Sequence, residues 1–411
     1  MKRILKRVVE IYQEYPRDFW RMILVNFVDR LGGSILFPFF ALYITKKFDV
    51  GMTTVGGLFA VFFISGFIGS LPGGALTDRF GRKGIIIFSL IATSFSTLLM
   101  GFVNEFQLFL LVAFISGIFT DVGGPAYEAV FMDLLPEEKR ASGFGIRRVA
   151  FNLAVVIGPA IGGFIAARSY LALFILDAIV SAIVALMVFR LIPETKPAAP
   201  EGTEQESTAE TFRGYFQVLK DGKFMAFTVV CLLLWFVYMN MNTTLGVFLR
   251  DHRGLPPSGY GWLISINAAM VVLLQFPITR RIEKHPPMLM MAFGAFFVTF
   301  GLLLYGFVAT FSLFVVAMAI LTIGEMITVP VANALVASFS PEEMRGRYNF
   351  VYGNSWGISF AAGPYLAGLI LDNYNPNWLW YACGIIGMLA ILGFMTLHWS
   401  TQAKPVLLTQ E

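Results

Sequence analysis

The most informative stretch of the chain is GALTDRFGRK, residues 74–83. It is a short charged turn between two apolar runs, 54–76 and 84–103, which are longer and more apolar than ordinary core helices. A helix that spans a membrane needs about 20 apolar residues, and both runs have that length. The stretch therefore indicates a turn at a membrane boundary, in a chain that crosses the bilayer several times.

The composition of the 411-residue chain supports this interpretation. Hydrophobic residues make up 57% of the chain and charged residues 14%, whereas soluble domains contain about 25% charged residues. We therefore expect an all-α membrane protein with about twelve transmembrane helices. The apolar runs of spanning length are 18–44, 54–76, 84–103, 108–133, 144–166, 170–191, 224–248, 259–281, 288–308, 312–337, 348–371 and 377–399.

The basic residues predict the orientation of the chain. With the N-terminus inside, 24 of the 30 Lys and Arg residues lie on the inner side and five on the outer side, and Arg30 lies within a span. Basic residues concentrate on the cytoplasmic side of membrane proteins. We therefore expect a multi-pass protein of the cell (inner) membrane with both termini in the cytoplasm, and we expect no nucleic-acid partner.

A polar, Pro-rich segment, 193–211, separates six spans from six spans. A shift of 205 residues places Gly158-Pro159 on Gly363-Pro364, Gly163 on Gly368 and Gly56 on Gly261. Repeated Gly and Pro positions at one offset indicate a duplication, with both halves in the same orientation. The expected domains are a cytoplasmic amphipathic segment (1–17), an N-terminal six-helix bundle (18–192), a cytoplasmic linker (193–223), a C-terminal six-helix bundle (224–399) and a cytoplasmic tail (400–411).

These features resemble the major facilitator superfamily, and within it the drug:proton antiporter branch. Residues 74–83 match the family pattern Gly-x-Leu-x-Asp-Arg-x-Gly-Arg-Lys at every specified position, and residues 158–163 match the antiporter pattern Gly-Pro-x-x-Gly-Gly. The resemblance covers nearly the whole chain and implies two duplicated six-helix bundles with a central cavity. The chain departs from the branch at residues 113–117, where Ala-Phe-Ile-Ser-Gly stands instead of Arg-x-x-Gln-Gly.

The resemblance implies a cytoplasmic gate and a closely packed fifth span. The gate candidates are Gly74, Asp78, Arg79, Gly81, Arg82, Lys83 and Asp133. Anchoring by the positive-inside rule is the alternative explanation for the basic members of this set. The candidates on span 5 are Gly158, Pro159, Gly162 and Gly163, which we expect to kink the helix and let it pack closely.

Charged residues inside spans cost about 2.5–3.5 kcal/mol each, so their positions are informative. The resemblance implies that spans 1, 4, 7 and 10 line the cavity, and mid-span charges fall on three of these four. The candidates for proton coupling are Asp29, Arg30, Asp121, Glu128 and Glu325. The hypothesis is that Asp29, Glu128 or Glu325 carries the proton and that Arg30 replaces the missing arginine of span 4. The alternative is that these charges only satisfy one another inside the bundle. Asp177, early in span 6, is interpreted as a cap of the outer helix end.

Polar and aromatic residues on spans 1, 7, 8 and 11 are candidates for a substrate cavity, with hydrogen bonding between helices as the alternative. These are Asn26, Trp235, Tyr238, Asn240, Asn242, Asn267, Tyr352 and Asn354. The resulting expectation is a monomeric exporter of small amphipathic compounds, driven by proton antiport in a lipid bilayer.

Two alternatives to this function stay open. One keeps the fold and changes the cargo, as in a lipid or glycolipid flippase or a metabolite exporter. The other is a non-transporting membrane receptor or scaffold. An enzyme is not expected, and neither is a metal or another cofactor, because the sequence has no nucleotide loop, metal cluster or nucleophile–base set.

Overall fold

The structure is a computed structural model that describes residues 12–195, 208–341 and 344–402. The predicted all-α fold is confirmed, and these residues contain helices without β-strands. The first helices are α1 (Arg17–Leu36), α2 (Phe40–Phe48), α3 (Met52–Phe80), α4 (Arg82–Phe102), α5 (Phe106–Val122), α6 (Gly124–Asp133), α7 (Glu137–Ala166) and α8 (Tyr170–Leu191). The remaining helices are α9 (Thr208–Lys220), α10 (Gly222–Thr243), α11 (Leu245–Arg253), α12 (Pro257–Ile282), α13 (Pro287–Leu304), α14 (Phe311–Phe339), α15 (Arg345–Asn373) and α16 (Asn377–Gln402).

Eleven helical stretches within the described residues are long and apolar enough to cross a membrane. They match eleven of the expected runs. The other expected span, 348–371, lies in α15, which has 29 residues and is less apolar because Gly, Ser, Tyr and Asn occupy many of its positions. The large apolar side chains that the other helices leave exposed suit contact with lipid.

Three of the expected spans are interrupted. A 3₁₀ turn at Phe37–Phe39 that contains Pro38 separates α1 from α2, and Gly123 separates α5 from α6 just before Pro125. Proline lacks an N–H group and interrupts the hydrogen bonds of a helix. Thr244 separates α10 from α11 and follows Phe39 by 205 positions, so the interruption of span 1 recurs in span 7 at the offset of the duplication.

The chain forms two compact units. The first draws its described residues from Met1–Asp49, Val61–Glu201 and Pro256–Ala268. Its core includes side chains that are fully buried among α1, α4, α6 and α8, such as Phe19, Ile86, Phe131 and Val184. The second draws its described residues from Val50–Ala60, Gly202–Leu255 and Ala269–Glu411, and a smaller cluster of Ile282, Met290 and Ile327 joins α12, α13 and α14 in it.

The predicted domain boundaries stay a prediction. Residues 1–11 of the amphipathic segment, 196–207 of the linker and 403–411 of the tail lie outside the described residues. The last part of the predicted linker is helical in α9, where Tyr215 lies 5.2 Å from Phe350 of α15 between ring centroids. Apolar residues at helical spacing in this segment explain why it forms a helix that packs on the second unit.

Candidate functional site

The turn between α3 and α4 is held by an acidic residue that follows α8. Gly81 has a φ angle of 88°, a conformation that glycine adopts without steric cost. The Glu194 carboxylate accepts hydrogen bonds from the backbone N–H groups of Arg82 (3.0 Å) and Lys83 (3.2 Å). It thereby satisfies two of the free N–H groups at the start of α4 and balances the positive end of its dipole.

The Arg82 side chain joins this turn to the inner end of α6. Its guanidinium contacts the Asp133 carboxylate and donates at 3.4 Å to the backbone oxygen of Ala129 and to the Thr195 hydroxyl. Two of the predicted gate residues, Arg82 and Asp133, are thus brought together. The Asp78 side chain lies outside the described part of the structure, so its role in the gate stays a prediction.

The other basic gate residues lie over aromatic rings. The Arg79 guanidinium is 5.4 Å from the ring centroid of Phe80, and the Lys83 ammonium is 5.5 Å from that of Phe189. Gly74 lies within α3. Glu194 is a residue that the sequence analysis assigned only to the linker. The sequence feature that could have indicated this contact is an acidic residue directly after the sixth span, on the same side of the membrane as the basic turn at residues 74–83.

Glu128 of α6 and Arg147 of α7 form a bidentate ion pair. Nη1 of Arg147 lies 2.9 Å from Oε1 of Glu128, and Nη2 lies 3.1 Å from Oε2. The guanidinium also lies 4.6 Å from the ring centroid of Phe131 and 4.7 Å from that of Phe144. The side chain of Arg147 is 15% exposed and that of Glu128 is 50% exposed. The arginine is therefore held in place by the carboxylate and two aromatic rings, while half of the Glu128 side chain stays exposed.

Arg147 is one of the 24 basic residues that the sequence predicts on the inner side. Arg30, which it proposed as the substitute for the missing arginine, is exposed and lies 5.8 Å from the ring of Phe151. Among the ion pairs of the described residues, the arginine bound to Glu128 is Arg147. The available signal is a basic residue inside the apolar run 144–166, which fits either the positive-inside rule or an ion pair.

Asp29 of α1 and Asp177 of α8 interact electrostatically within the first unit. Asp177 is 8% exposed, accepts a hydrogen bond from Thr97 and interacts electrostatically with Asp29. A Cβ atom on Gly32, one turn after Asp29, would lie 3.4 Å from Oδ1 of Asp177. The Tyr127 hydroxyl also interacts with Asp29 and has no hydrogen-bond partner among the described residues. Like charges repel each other, so the two carboxylates interact unfavourably when both are ionised.

The predicted role of Asp177 as a helix cap is wrong. The residue that caps α8 is Ser169, whose hydroxyl accepts from the backbone N–H of Ala172 at 3.3 Å. Asp177 lies about two turns further into the helix, where the backbone N–H groups are already bonded within the helix. Its buried side chain serves the contact with α1 instead.

Asp121 and Glu128 contact different helices. A Cβ atom on Gly66 of α3 would overlap the Asp121 carboxylate, whereas Glu128 contacts α7. The two residues are seven positions apart, but the junction at Gly123 interrupts the helix between them. Asp121 therefore belongs to the α3–α5 contact in the first unit.

The glycines predicted on span 5 lie at close helix contacts. Gly158 and Gly162 of α7 face α1, where added Cβ atoms would overlap the Ser34 hydroxyl and the backbone oxygen of Ile35. Gly163 faces the first turns of α12. Small residues permit such close approach of helices within a membrane.

Glu325 of α14 is linked to α10 through Tyr238. The Tyr238 hydroxyl donates a hydrogen bond to the Glu325 carboxylate and accepts one from the Asn242 amide. Tyr238 is 5% exposed, whereas Glu325 is half-buried. Three predicted site residues, Glu325, Tyr238 and Asn242, are thus brought together in the second unit.

Two tryptophans adjoin this group. The ring centroids of Trp235 and Trp356 are 4.7 Å apart at an interplanar angle of 30°. The Tyr238 ring lies 6.0 Å from Trp235 and 5.7 Å from Trp356, nearly perpendicular to both. Trp235 is among the predicted cavity residues, whereas Trp356 is not, although it lies one helical turn after the predicted Tyr352.

The other predicted cavity residues are buried or bonded within their own helices. Tyr352 and Asn267 are 6% and 5% exposed. The remaining three asparagines each donate to the backbone oxygen four residues earlier: Asn26 to Met22 (2.8 Å), Asn240 to Phe236 (3.0 Å) and Asn354 to Phe350 (2.9 Å). Two apolar surface grooves, one between α13 and α16 and one that the end of α12 also lines, contain none of the candidate residues.

Comparison with known proteins gives a consistent result. A family profile described as Major Facilitator Superfamily matches residues 22–358 and 230–410. A Na(+), Li(+), K(+)/H(+) antiporter of Planococcus maritimus is 27% identical over 94% of this chain and 96% of its own. Multidrug resistance protein MdtH of Shigella flexneri is 23% identical over 93% of this chain and 90% of its own.

Solved structures match the same fold. The crystal structure of nucleoside transporter NupG aligns with a TM-score of 0.78 and 12% identity, covering 93% of this chain and 99% of that one. An identity this low shows a shared fold alone.

Proposed function

The chain belongs to the Major Facilitator Superfamily, and we propose from this membership that it is an antiporter that exports small amphipathic compounds in exchange for protons. It is a multi-pass membrane protein, and transporters of this family handle small-molecule substrates. In our proposal it acts as a monomer in the cell (inner) membrane, with both termini in the cytoplasm and with alternating access to its cavity.

The observation that carries the proposal is the ion pair of Glu128 and Arg147. In our proposal, a proton taken up by Glu128 removes the charge that binds the Arg147 guanidinium and so breaks the pair. One proton that crosses the membrane releases about 2.3 kcal/mol per 100 mV. Breaking and reforming this pair couples that energy to a change of conformation.

The cytoplasmic cluster supports the same proposal. Arg82, Asp133 and Glu194 join the α3–α4 turn to α6 and to the end of α8 through charged groups. Such contacts hold one arrangement of the inner helix ends of the first unit, and in our proposal this arrangement is part of the gate. The identity of the carboxylate that carries the proton is part of this proposal, with Glu128 favoured over Asp29 and Glu325.

Proteoliposomes test the proposed function. The purified protein is reconstituted with an imposed pH gradient, and the uphill movement of a lipophilic fluorescent compound is measured together with proton flux. We expect accumulation against the gradient that stops when a protonophore is added. Transport whose rate does not depend on the pH gradient would contradict proton antiport. Translocation of a labelled glycolipid without transport of the lipophilic compound would favour a flippase. An absence of any flux would favour a receptor or scaffold.

A second candidate function is alkali-cation/proton antiport. It is favoured by the electrostatic interaction of Asp29 with Asp177 and by the similarity to the Planococcus maritimus antiporter. Two carboxylates and the Thr97 hydroxyl offer the oxygen ligands that a hard monovalent cation prefers. The test is proton release from acid-loaded proteoliposomes on addition of Na⁺, Li⁺ or K⁺.

A further inference from the structure

We propose that Glu325, Tyr238 and Trp356 form a binding site for planar aromatic cations in the second unit. The inference rests on the proposed function, because it names the class of compound that the antiporter would bind. The site combines a carboxylate from α14, a phenol from α10 and an indole from α15. Three separate helices thus contribute the two kinds of group that recognise an organic cation.

The aromatic part of the site has an accessible and a buried side. Trp235 is 1% exposed and lies behind Trp356 at 4.7 Å, whereas Trp356 itself is half-buried. One turn before it, Gly353 is exposed and a Cβ atom there would meet nothing within 4 Å. The position one turn before Trp356 is therefore not covered by another side chain, and in our proposal a flat ring enters there to stack on the indole.

The carboxylate supplies charge selectivity. Glu325 is the single charged residue within 224–249, 288–339 and 348–371, so the interior formed by these segments is negative when Glu325 is ionised. The hydrogen bond from Tyr238 fixes the carboxylate beside the aromatic group. A cation over an aromatic face gains more when it is removed from water, and a nearby carboxylate adds a direct ionic attraction.

The chemistry of the site argues for a delocalised cation over a neutral or anionic compound. A neutral aromatic compound stacks on Trp356 but gains nothing from Glu325, and an anion is repelled by it. A small ammonium ion is attracted by Glu325 but covers little of the indole. A planar ring with a permanent charge uses both contacts at once.

The experiment measures equilibrium binding to the full-length protein in phosphatidylcholine nanodiscs at pH 8. The probes are 10-methylacridinium and its neutral relative acridine, and binding to empty nanodiscs is subtracted. We expect Glu325→Gln to weaken binding of methylacridinium about tenfold and to change that of acridine less than threefold. Trp356→Leu is expected to weaken binding of both probes, and Trp356→Phe to restore most of it.

Trp399→Leu is the control, because Trp399 is 59% exposed near the end of α16. This substitution should leave the affinities for both probes unchanged. Methylacridinium binding within twofold of wild type in both Glu325→Gln and Trp356→Leu would overturn the site, as would equal losses for the two probes in Glu325→Gln. The proposed function has a separate readout. If the site is wrong but wild type still exports another compound in exchange for protons, the proposed function is supported without this site. If binding depends on Glu325 but no proton flux occurs, the site is supported and proton antiport is contradicted.

Discussion

Gly163 and Ser258 pack so closely that a Cβ atom added to Gly163 would lie 2.9 Å from the Cα atom of Ser258. In the second unit, a Cβ atom added to Gly368 would lie 2.5 Å from the Cα atom of Thr53. The two pairs are related by the offset of 205 residues. Gly368 lies 205 positions after Gly163, and Ser258 lies 205 positions after Thr53. The offset read from the sequence thus relates two contacts between α7 and α12 and between α15 and α3.

The same relation holds one turn further along these helices. A Cβ atom on Gly56 would overlap the backbone at Pro364 and Tyr365, and one on Gly261 would overlap the backbone oxygen of Pro159. The prolines of the two Gly-Pro pairs therefore face glycines in both units. The Gly and Pro positions that repeat in the sequence therefore mark contacts that repeat in the two units. Each contact needs a glycine on one helix so that the backbone of the other helix can approach.

Gly56→Ala is expected to destabilise the protein by about 1–3 kcal/mol, the usual cost of forcing an extra carbon into a packed contact. Gly57→Ala is the matched control, since a Cβ atom there would meet nothing within 4 Å. In a helix, alanine is favoured over glycine by about 1 kcal/mol, so Gly57→Ala should be neutral or stabilising. The measurement is the thermal unfolding midpoint in nanodiscs, and equal midpoints for the two variants would contradict the close contact of α3 with α15.

Elements of the fold that depend on local chemistry could be predicted from sequence. Apolar length predicted the spans, and the pattern of residues 74–83 predicted a turn, which the structure places at Gly81 between α3 and α4. The interruptions at Phe37–Phe39 and Thr244 were not predicted. Pro38 was a local signal for the first, but Thr244 carries none, and a break there is recognisable only through its equivalence to Phe39.

Contacts between distant residues were harder to predict than the residues themselves. Glu128 was selected because a charge inside a span is costly, but its partner Arg147 was assigned to topology. An arginine near the inner end of a helix satisfies the positive-inside rule and an ion pair equally well, and only packing distinguishes the two. Asp177 was misread for the same reason, because its position early in span 6 suggested a cap while its side chain points into the unit.

Glu128→Gln is expected to abolish uphill transport driven by a pH gradient while exchange of substrate across the membrane continues. The amide keeps the shape of the side chain but neither releases a proton nor forms the ion pair with Arg147. The measurement compares pH-driven accumulation with exchange of labelled for unlabelled compound in the same proteoliposomes. Unchanged pH-driven accumulation in this variant would show that Glu128 does not carry the coupled proton.

Arg147→Lys is expected to reduce pH-driven accumulation about tenfold, because an ammonium cannot make both contacts of the guanidinium fork. Arg148→Lys is the matched control, because Arg148 is the exposed neighbour on the same helix. The pH dependence of the initial rate should change in Arg147→Lys and stay that of wild type in Arg148→Lys. If the two variants behave alike, the pair has no role in coupling.

Glu194→Gln is expected to slow transport about two- to fivefold without a change in the amount of protein inserted. The variant keeps an acceptor for the N–H groups of Arg82 and Lys83 but loses the charge that balances the α4 dipole, which is worth about 0.3–1 kcal/mol. Glu283→Gln, at an exposed acid after α12, is the control. Initial rates at equal protein density are compared, and a wild-type rate in Glu194→Gln would show that the turn is held without this charge.

Asp177→Asn distinguishes the two candidate functions. If Asp29 and Asp177 bind an alkali cation, the wild type releases protons from acid-loaded proteoliposomes when Na⁺, Li⁺ or K⁺ is added, and Asp177→Asn is expected to lose this release while export that depends on Glu128 continues. Thr97→Val should weaken the response, because it removes the hydrogen bond to Asp177 and one of the oxygen ligands. Asp251→Asn is the control, at an acid whose side chain is 40% exposed and paired with Arg250. Cation-dependent proton release of equal size in wild type and Asp177→Asn would exclude the carboxylate pair as the cation site, and loss of both activities would mean that they share one site.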